Sequence, residues 1–174
     1  LTDTKLQGLD EFKDVTLANI KMVQAHVGFW DVVTGDQIKV DEIHIIDPTF
    51  DVRVLQSGLA NYDIVKEEEE MTPEEVAEPS NFALSLKEYS ITNGTINYKD
   101  EASNMHASIV NLNHTGNGDL TSDIIDFKTN TTMDKLSFDM DGVSYFTEVK
   151  TDMVINLLME FTDKTSKFTL KENE

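Results

Sequence analysis

Between Glu88 and Asp100 the chain reads EYSITNGTINYKD, two short runs of alternating apolar and polar residues on either side of Asn-Gly. Asn-Gly tolerates the positive φ angles of a two-residue type I′ turn, so the pattern predicts a hairpin with Asn93 and Gly94 as its loop. Counting outward sets Ile91 opposite Ile96 and Tyr89 opposite Tyr98 on one face. Thr92/Thr95, Ser90/Asn97 and Glu88/Lys99 fall on the other. A slip of one residue would mix the two sets, so this register is well specified.

Two further stretches offer the same geometry. In DEIHIIDPTFDVRV, a loop at Asp47 and Pro48 sets Ile45 against Phe50 and Ile43 against Val52, with His44/Asp51 and Glu42/Arg53 on the opposite face. Proline cannot adopt a positive φ, so this turn must differ in type or carry an extra residue. In LSFDMDGVSYF, a loop at Asp141 and Gly142 sets Met140 against Val143 and Phe138 against Tyr145. The turn positions 47–48, 93–94 and 141–142 recur at 46 and then 48 residues, which suggests a degenerate structural repeat. Hairpins placed by chance at similar intervals are the competing explanation.

The remaining pattern is also mostly strand-like. VTLANIKMVQAHV reads as a strand with helix as a competitor, and GFWDVVTGDQ as one helical turn in which Phe29 and Trp30 form an end plug or core cluster. In NFALSLKEYSI the apolar parity changes from Phe82, Leu84 and Leu86 to Tyr89 and Ile91, which requires a bulge or a break near Lys87-Glu88. Ile125 to Met133 and Met153 to Phe161 alternate cleanly. The predicted fold class is therefore all-β and mainly antiparallel: an extended curled β-sheet or groove built from repeated hairpins, with little helix. KEEEEMTPEEVAEPS is acidic and has little to bury, so it divides the chain into an N-terminal β segment (1–65), an acidic linker or excursion loop (66–80) and a C-terminal β segment (81–174) continuous with the first.

Composition narrows the partners. The 174 residues include 33 acidic against 14 basic side chains, a formal charge of −19. Nucleic acid is disfavoured, because phosphates need clustered Lys and Arg, and an anionic membrane surface would repel the chain. There is no cysteine, hence no disulfide and no thiolate metal site. No apolar run is long enough to span a bilayer, and the start at Leu1 suggests a segment of a longer protein.

No motif supports catalysis, so no catalytic residue, metal ligand or cofactor is expected, and the chain is read as non-enzymatic. The four histidines, His26, His44, His106 and His114, lack the local spacing of HExxH or HxH sites. His114 in LNHTGNGDL reads as a turn residue, and no serine sits in a Gly-x-Ser-x-Gly elbow. The acids of the linker lack calcium-loop spacing. A hydrolase working through two carboxylates stays open only because any two of 33 acids could meet in space.

GLANYDIV, the acidic linker, FALSLKEYSITNGTINYKD and LNHTGNGDL together resemble the AsmA family of bacterial envelope proteins, in its Bacteroidetes-type form. The matching positions are Gly58, Ala60, Asn61 and Tyr62 in the first stretch, and Ile91, Asn93, Gly94, Ile96, Tyr98 and Asp100 in the second. The resemblance implies a periplasmic protein, anchored in the inner membrane at full length, that takes part in outer-membrane assembly and phospholipid transport along a curled, apolar β-sheet. It implies no catalytic residues.

The resemblance and the apolar hairpin faces meet at eight lipid-groove candidates: Ile43, Ile45, Phe50, Val52, Tyr89, Ile91, Ile96 and Tyr98. Ordinary core packing is the alternative for all eight. The expected partners are phospholipid acyl chains. A β module that binds other envelope proteins through its strand edges, without lipid, is the second reading.

Overall fold

The computed structural model describes residues 1–27, 38–63, 82–119, 122–162 and 165–171. Eight strands form one sheet in chain order: β1 (Thr2–Gln7), β2 (Thr16–Val27), β3 (Ile38–Val54), β4 (Phe82–Asp100), β5 (Met105–Asn117), β6 (Ile124–Met140), β7 (Val143–Phe161) and β8 (Ser166–Leu170). A single 3-10 turn, Asp10–Phe12, joins β1 to β2 and buries Phe12. Among the described residues the sheet is curled and open, not closed into a barrel. Every neighbouring pair is antiparallel except β3 and β4, which run parallel. The all-β, mainly antiparallel expectation thus describes the molecule. VTLANIKMVQAHV is strand β2, not helix; Phe29, Trp30 and the acidic linker lie outside the described residues.

Two of the three expected hairpins do not form. β3 runs unbroken through Asp47-Pro48, and β4 through Asn93-Gly94. A type I′ turn needs two consecutive residues at positive φ, yet only Asp47 (49°) and Asn93 (54°) take it, while Gly94 does not. A single left-handed residue kinks a strand without reversing it. The pairs expected inside each hairpin, such as Ile45 with Phe50 or Ile91 with Ile96, are accordingly not partners. At Asp141-Gly142 both residues are at positive φ, 52° and 77°, and there the hairpin forms. Met140 pairs with Val143 as expected, but a register shift sets Phe138 opposite Phe146 instead of Tyr145.

The 46-residue interval has a different meaning from a repeated hairpin. It is the constant offset of the parallel register: Ile43 pairs with Tyr89, Ile45 with Ile91, Phe50 with Ile96 and Val52 with Tyr98. Near Lys87 the expected irregularity is present, since Val40 pairs with Leu84 but Glu42 with Glu88.

The kinks line up across the sheet. Asp47, Asn93, Asn111 and Glu148 on β3, β4, β5 and β7 all hold positive φ. Their side chains and neighbours are joined in sequence. Lys21 Nζ and Asn93 Nδ2 donate to Asp47, at 3.0 and 2.7 Å; Asn93 N donates to Asn113 Oδ1, Asn113 to Asn111, and Asn111 Nδ2 to Asp134 Oδ2 at 2.6 Å. Lys135 reaches Glu148 at 2.7 Å. The Asn93 amide and then the Lys21 ammonium hold the Asp47 carboxyl below the usual carboxylate range. Pro48, the largest fully buried side chain among the described residues, occupies the crease, where a residue without an N–H costs the ladder least.

This crease shifts the apolar parity. On β5 the positions that continue the apolar face are Ala107 and Ile109 before the crease and Leu112, His114 and Gly116 after it; on β6 they are Ile125, Phe127, Thr129, Thr131 and Met133, then Leu136 and Phe138. On β3 and β4 the apolar set changes from Ile43, Ile45, Tyr89 and Ile91 to Pro48, Phe50, Val52, Ile96 and Tyr98. One left-handed residue on each of β3, β4, β5 and β7, and a register shift between Met133 and Leu136 on β6, keep the apolar side chains on a single face across the crease. Ile125, Leu112, Met133, Thr129 and Thr131 are buried although, among the described residues, no second sheet covers them. The apolar face that carries these buried side chains is here named the inner face.

Candidate functional site

The inner face is built from rows of residues that cross the strands. One row runs Ala25, Ile43, Tyr89, Gly116, Thr129 and Ile155; the next runs Val23, Ile45, Ile91, His114, Thr131 and Met153. Beyond the crease, Ala18, Phe50, Ile96, Ile109, Leu136 and Val149 form a third, and Val52, Tyr98, Ala107 and Phe138 a fourth. All eight candidate residues therefore come together, as four side-by-side pairs on β3 and β4. Sequence reasoning missed their neighbours on β5 and β6, because only the strand order brings Leu112, Phe127 and Leu136 beside them. The alternation of β6 was the available signal.

Aromatic packing shapes the floor. Tyr89 stacks on Phe127 with ring centroids 6.1 Å apart, and both rings lie over Gly116. Any side chain at 116 would collide with the Tyr89 ring, which explains the glycine. Gly94 is similarly crowded, its missing Cβ lying 3.0 Å from Ile91 Cγ2 and 3.4 Å from Leu112 Cβ.

The polar groups on this face are satisfied internally. Tyr89 Oη lies 2.9 Å from His114 Nε2, and His114 Nδ1 lies 2.8 Å from Thr131 Oγ1. His114 is thus a strand residue of β5, not the turn residue expected from LNHTGNGDL. Burial pushes the Tyr89 phenol up and the His114 imidazole down. Both shifts favour the neutral forms, in which one His114 nitrogen carries a proton and the other accepts, so both contacts can be hydrogen bonds. No buried side-chain nitrogen or oxygen among the described residues lacks a partner. A face whose few polar atoms are already paired presents apolar surface.

The outer face is polar and holds two open concavities. One, of about 250 Å³, is lined by Asn97, Tyr98, Lys99, His106, Ser108 and Asp139 among others. The other, of about 600 Å³, is lined by Asn117, Gly118, Asp126, Lys128, Asn156 and Lys171. Apart from Tyr98 neither involves a groove candidate, and lysines and carboxylates in open solvent suit water better than an acyl chain.

The stretches behind the family resemblance have structural roles. Gly58, at φ 86°, turns the chain back after β3, and buried Asn61 accepts from Arg53 N at 2.9 Å and donates to Asp51 O at 2.7 Å. Asp100 accepts from Ala102 N and Ser103 N in the β4–β5 turn. No family model, curated protein or solved structure matches the chain.

Proposed function

We propose that this protein is a non-catalytic component of a bacterial cell envelope that holds phospholipid acyl chains against the inner face of its curled sheet. The reading follows the resemblance to AsmA proteins, including a periplasmic location and inner-membrane anchoring of the full-length protein. The observation that carries it is the matched parity change at the crease. The crease keeps one apolar face continuous across β3, β4 and β5, giving an uninterrupted surface along which an acyl chain can lie.

The dimensions agree. Six strands about 4.8 Å apart give each of the three longer rows a length of roughly 24 Å. One leaflet of a bilayer core, the reach of one acyl chain, is about 15 Å. A dozen buried methylenes contribute on the order of 10 kcal/mol, comparable to the cost of association, so retention would be reversible. Reversible retention is what transfer between membranes needs.

A second reading is favoured by β7. Strand β8 pairs only with Leu157–Phe161, so among the described residues positions 143–155 of β7 have no strand on that side. Tyr145 and Phe146 are exposed there. A partner protein could add a strand to this edge without any lipid. Native mass spectrometry of gently purified protein separates the two: phospholipid released on denaturation supports the lipid reading, and a lipid-free mass in the presence of added phospholipid contradicts it.

A further inference from the structure

We propose that His26, Glu42 and His44 form a binding site for a divalent transition-metal ion of the zinc type, on the polar face opposite the apolar one. Pairing between β2 and β3 sets His26 opposite Glu42, and His44, two residues on from Glu42, projects from the same face. One ligand atom from each of the three lies within 4.8 Å of the other two. Glu42 Oε2 is 2.7 Å from His26 Nδ1 and 3.5 Å from His44 Nε2. Ligand atoms about 2.0–2.1 Å from a tetrahedral zinc ion stand roughly 3.3 Å apart, so small side-chain rotations suffice.

The orientation of His44 is set from behind. Its Nδ1 is 2.7 Å from Ser90 Oγ on β4, which leaves Nε2 directed towards Glu42. A partner on the far nitrogen is what metal-binding imidazoles characteristically have, because it fixes ring and tautomer. The two imidazoles meet edge to face, with centroids 5.4 Å apart and planes at 72°, so their nitrogens converge on the carboxylate and the rings do not stack.

Two imidazoles and one carboxylate select zinc, copper or nickel over calcium and magnesium, which prefer oxygen ligands alone. Three protein ligands leave a fourth position for water or for a group from a partner. Residues 26 and 42 are too far apart in the chain for any local motif, so only the strand register shows the site. A surface ion pair between His26 and Glu42 would use neither His44 nor Ser90.

The test is calorimetric titration of the metal-stripped protein with Zn²⁺ alone, alongside His26→Gln, His44→Gln and Ser90→Ala. His106→Gln serves as a control, and circular dichroism checks each fold. We expect one Zn²⁺ per chain, unaffected by a large excess of Ca²⁺, with each histidine variant at least tenfold weaker. Ser90→Ala should weaken binding by about 10–100-fold, and the imidazole ¹⁵N shifts of wild type should move at His44 Nε2 and His26 Nδ1. Zinc affinity unchanged in both histidine variants, or displacement of zinc by Ca²⁺, would overturn the proposal and assign binding to the general negative charge. Because His26 is exposed, its variant keeps the test valid even if His44→Gln fails to fold.

Discussion

Asn93 Nδ2 donates to Asp47 Oδ1 at 2.7 Å, and these two residues, on neighbouring parallel strands, both hold the left-handed backbone conformation. The pair turns two local kinks into one crease. Asn and Asp are the non-glycine residues that accept this conformation most readily, and here each also satisfies the other's side chain. Their alignment lets the apolar face pass through the kink without turning outward.

The crease makes position 93 selective. Asn93→Gly keeps the backbone at no steric cost and loses only the bond to Asp47, so it should unfold at a denaturant midpoint slightly below that of wild type. Asn93→Val must force a β-branched residue to positive φ and loses the bond to Asp47, so it should cost about 1–3 kcal/mol. Urea denaturation of the two variants checks this; equal midpoints would mean that the left-handed residue is incidental.

Much of this fold could be read from the chain, and what could not has a physical cause. β6 and β7 alternate plainly, and Asp141-Gly142 turns as its two residues suggest. Asn93-Gly94 has the same local signal and no turn. The difference is tertiary: β4 has strands on both sides to satisfy its backbone, so one left-handed residue is enough and a reversal would break two ladders. The eight candidate residues nonetheless lie side by side, because alternation marks a face on each side of the kink and the left-handed Asp47 and Asn93 restore the parity that a turn would have given. The parallel register, the β5 and β6 lining and the meeting of His26 with Glu42 depend on strand order, which alternation does not encode.

Gly116 carries two aromatic rings, so Gly116→Ala should displace Tyr89 from Phe127. The expected loss is about 1–3 kcal/mol, together with a weakened near-ultraviolet circular dichroism signal. Full retention of both would contradict the packing of the inner face.

His114 sets a pH dependence. Burial lowers its folded pKa below the ordinary value of 6.5, so in that interval the unfolded chain binds more protons and stability rises with pH. Its contribution is complete above about pH 6.5 and is lost as pH falls from there through the folded pKa. Denaturant midpoints between pH 5 and 8 should therefore fall on acidification, and His114→Asn should flatten the curve in that interval. A parallel curve for the variant would contradict burial as the cause.

Ile45 and Ile91 are neighbours in one row of the inner face. Ile45→Asp and Ile91→Asp each place a charge where an acyl chain would lie. Both variants should retain the β-sheet circular dichroism spectrum and lose bound phospholipid. Unfolding of both would show that these side chains serve as core.

The most direct measurement is photo-crosslinking to phospholipid from single positions on the two faces. A benzophenone side chain at Ile91 or at Ile96 should cross-link to co-purified or added phospholipid, on both sides of the crease. The same probe at Asn97 or Lys99, on the polar face, should not. Equal labelling of the two faces, or labelling from the polar face alone, would contradict an acyl-chain site on the inner face.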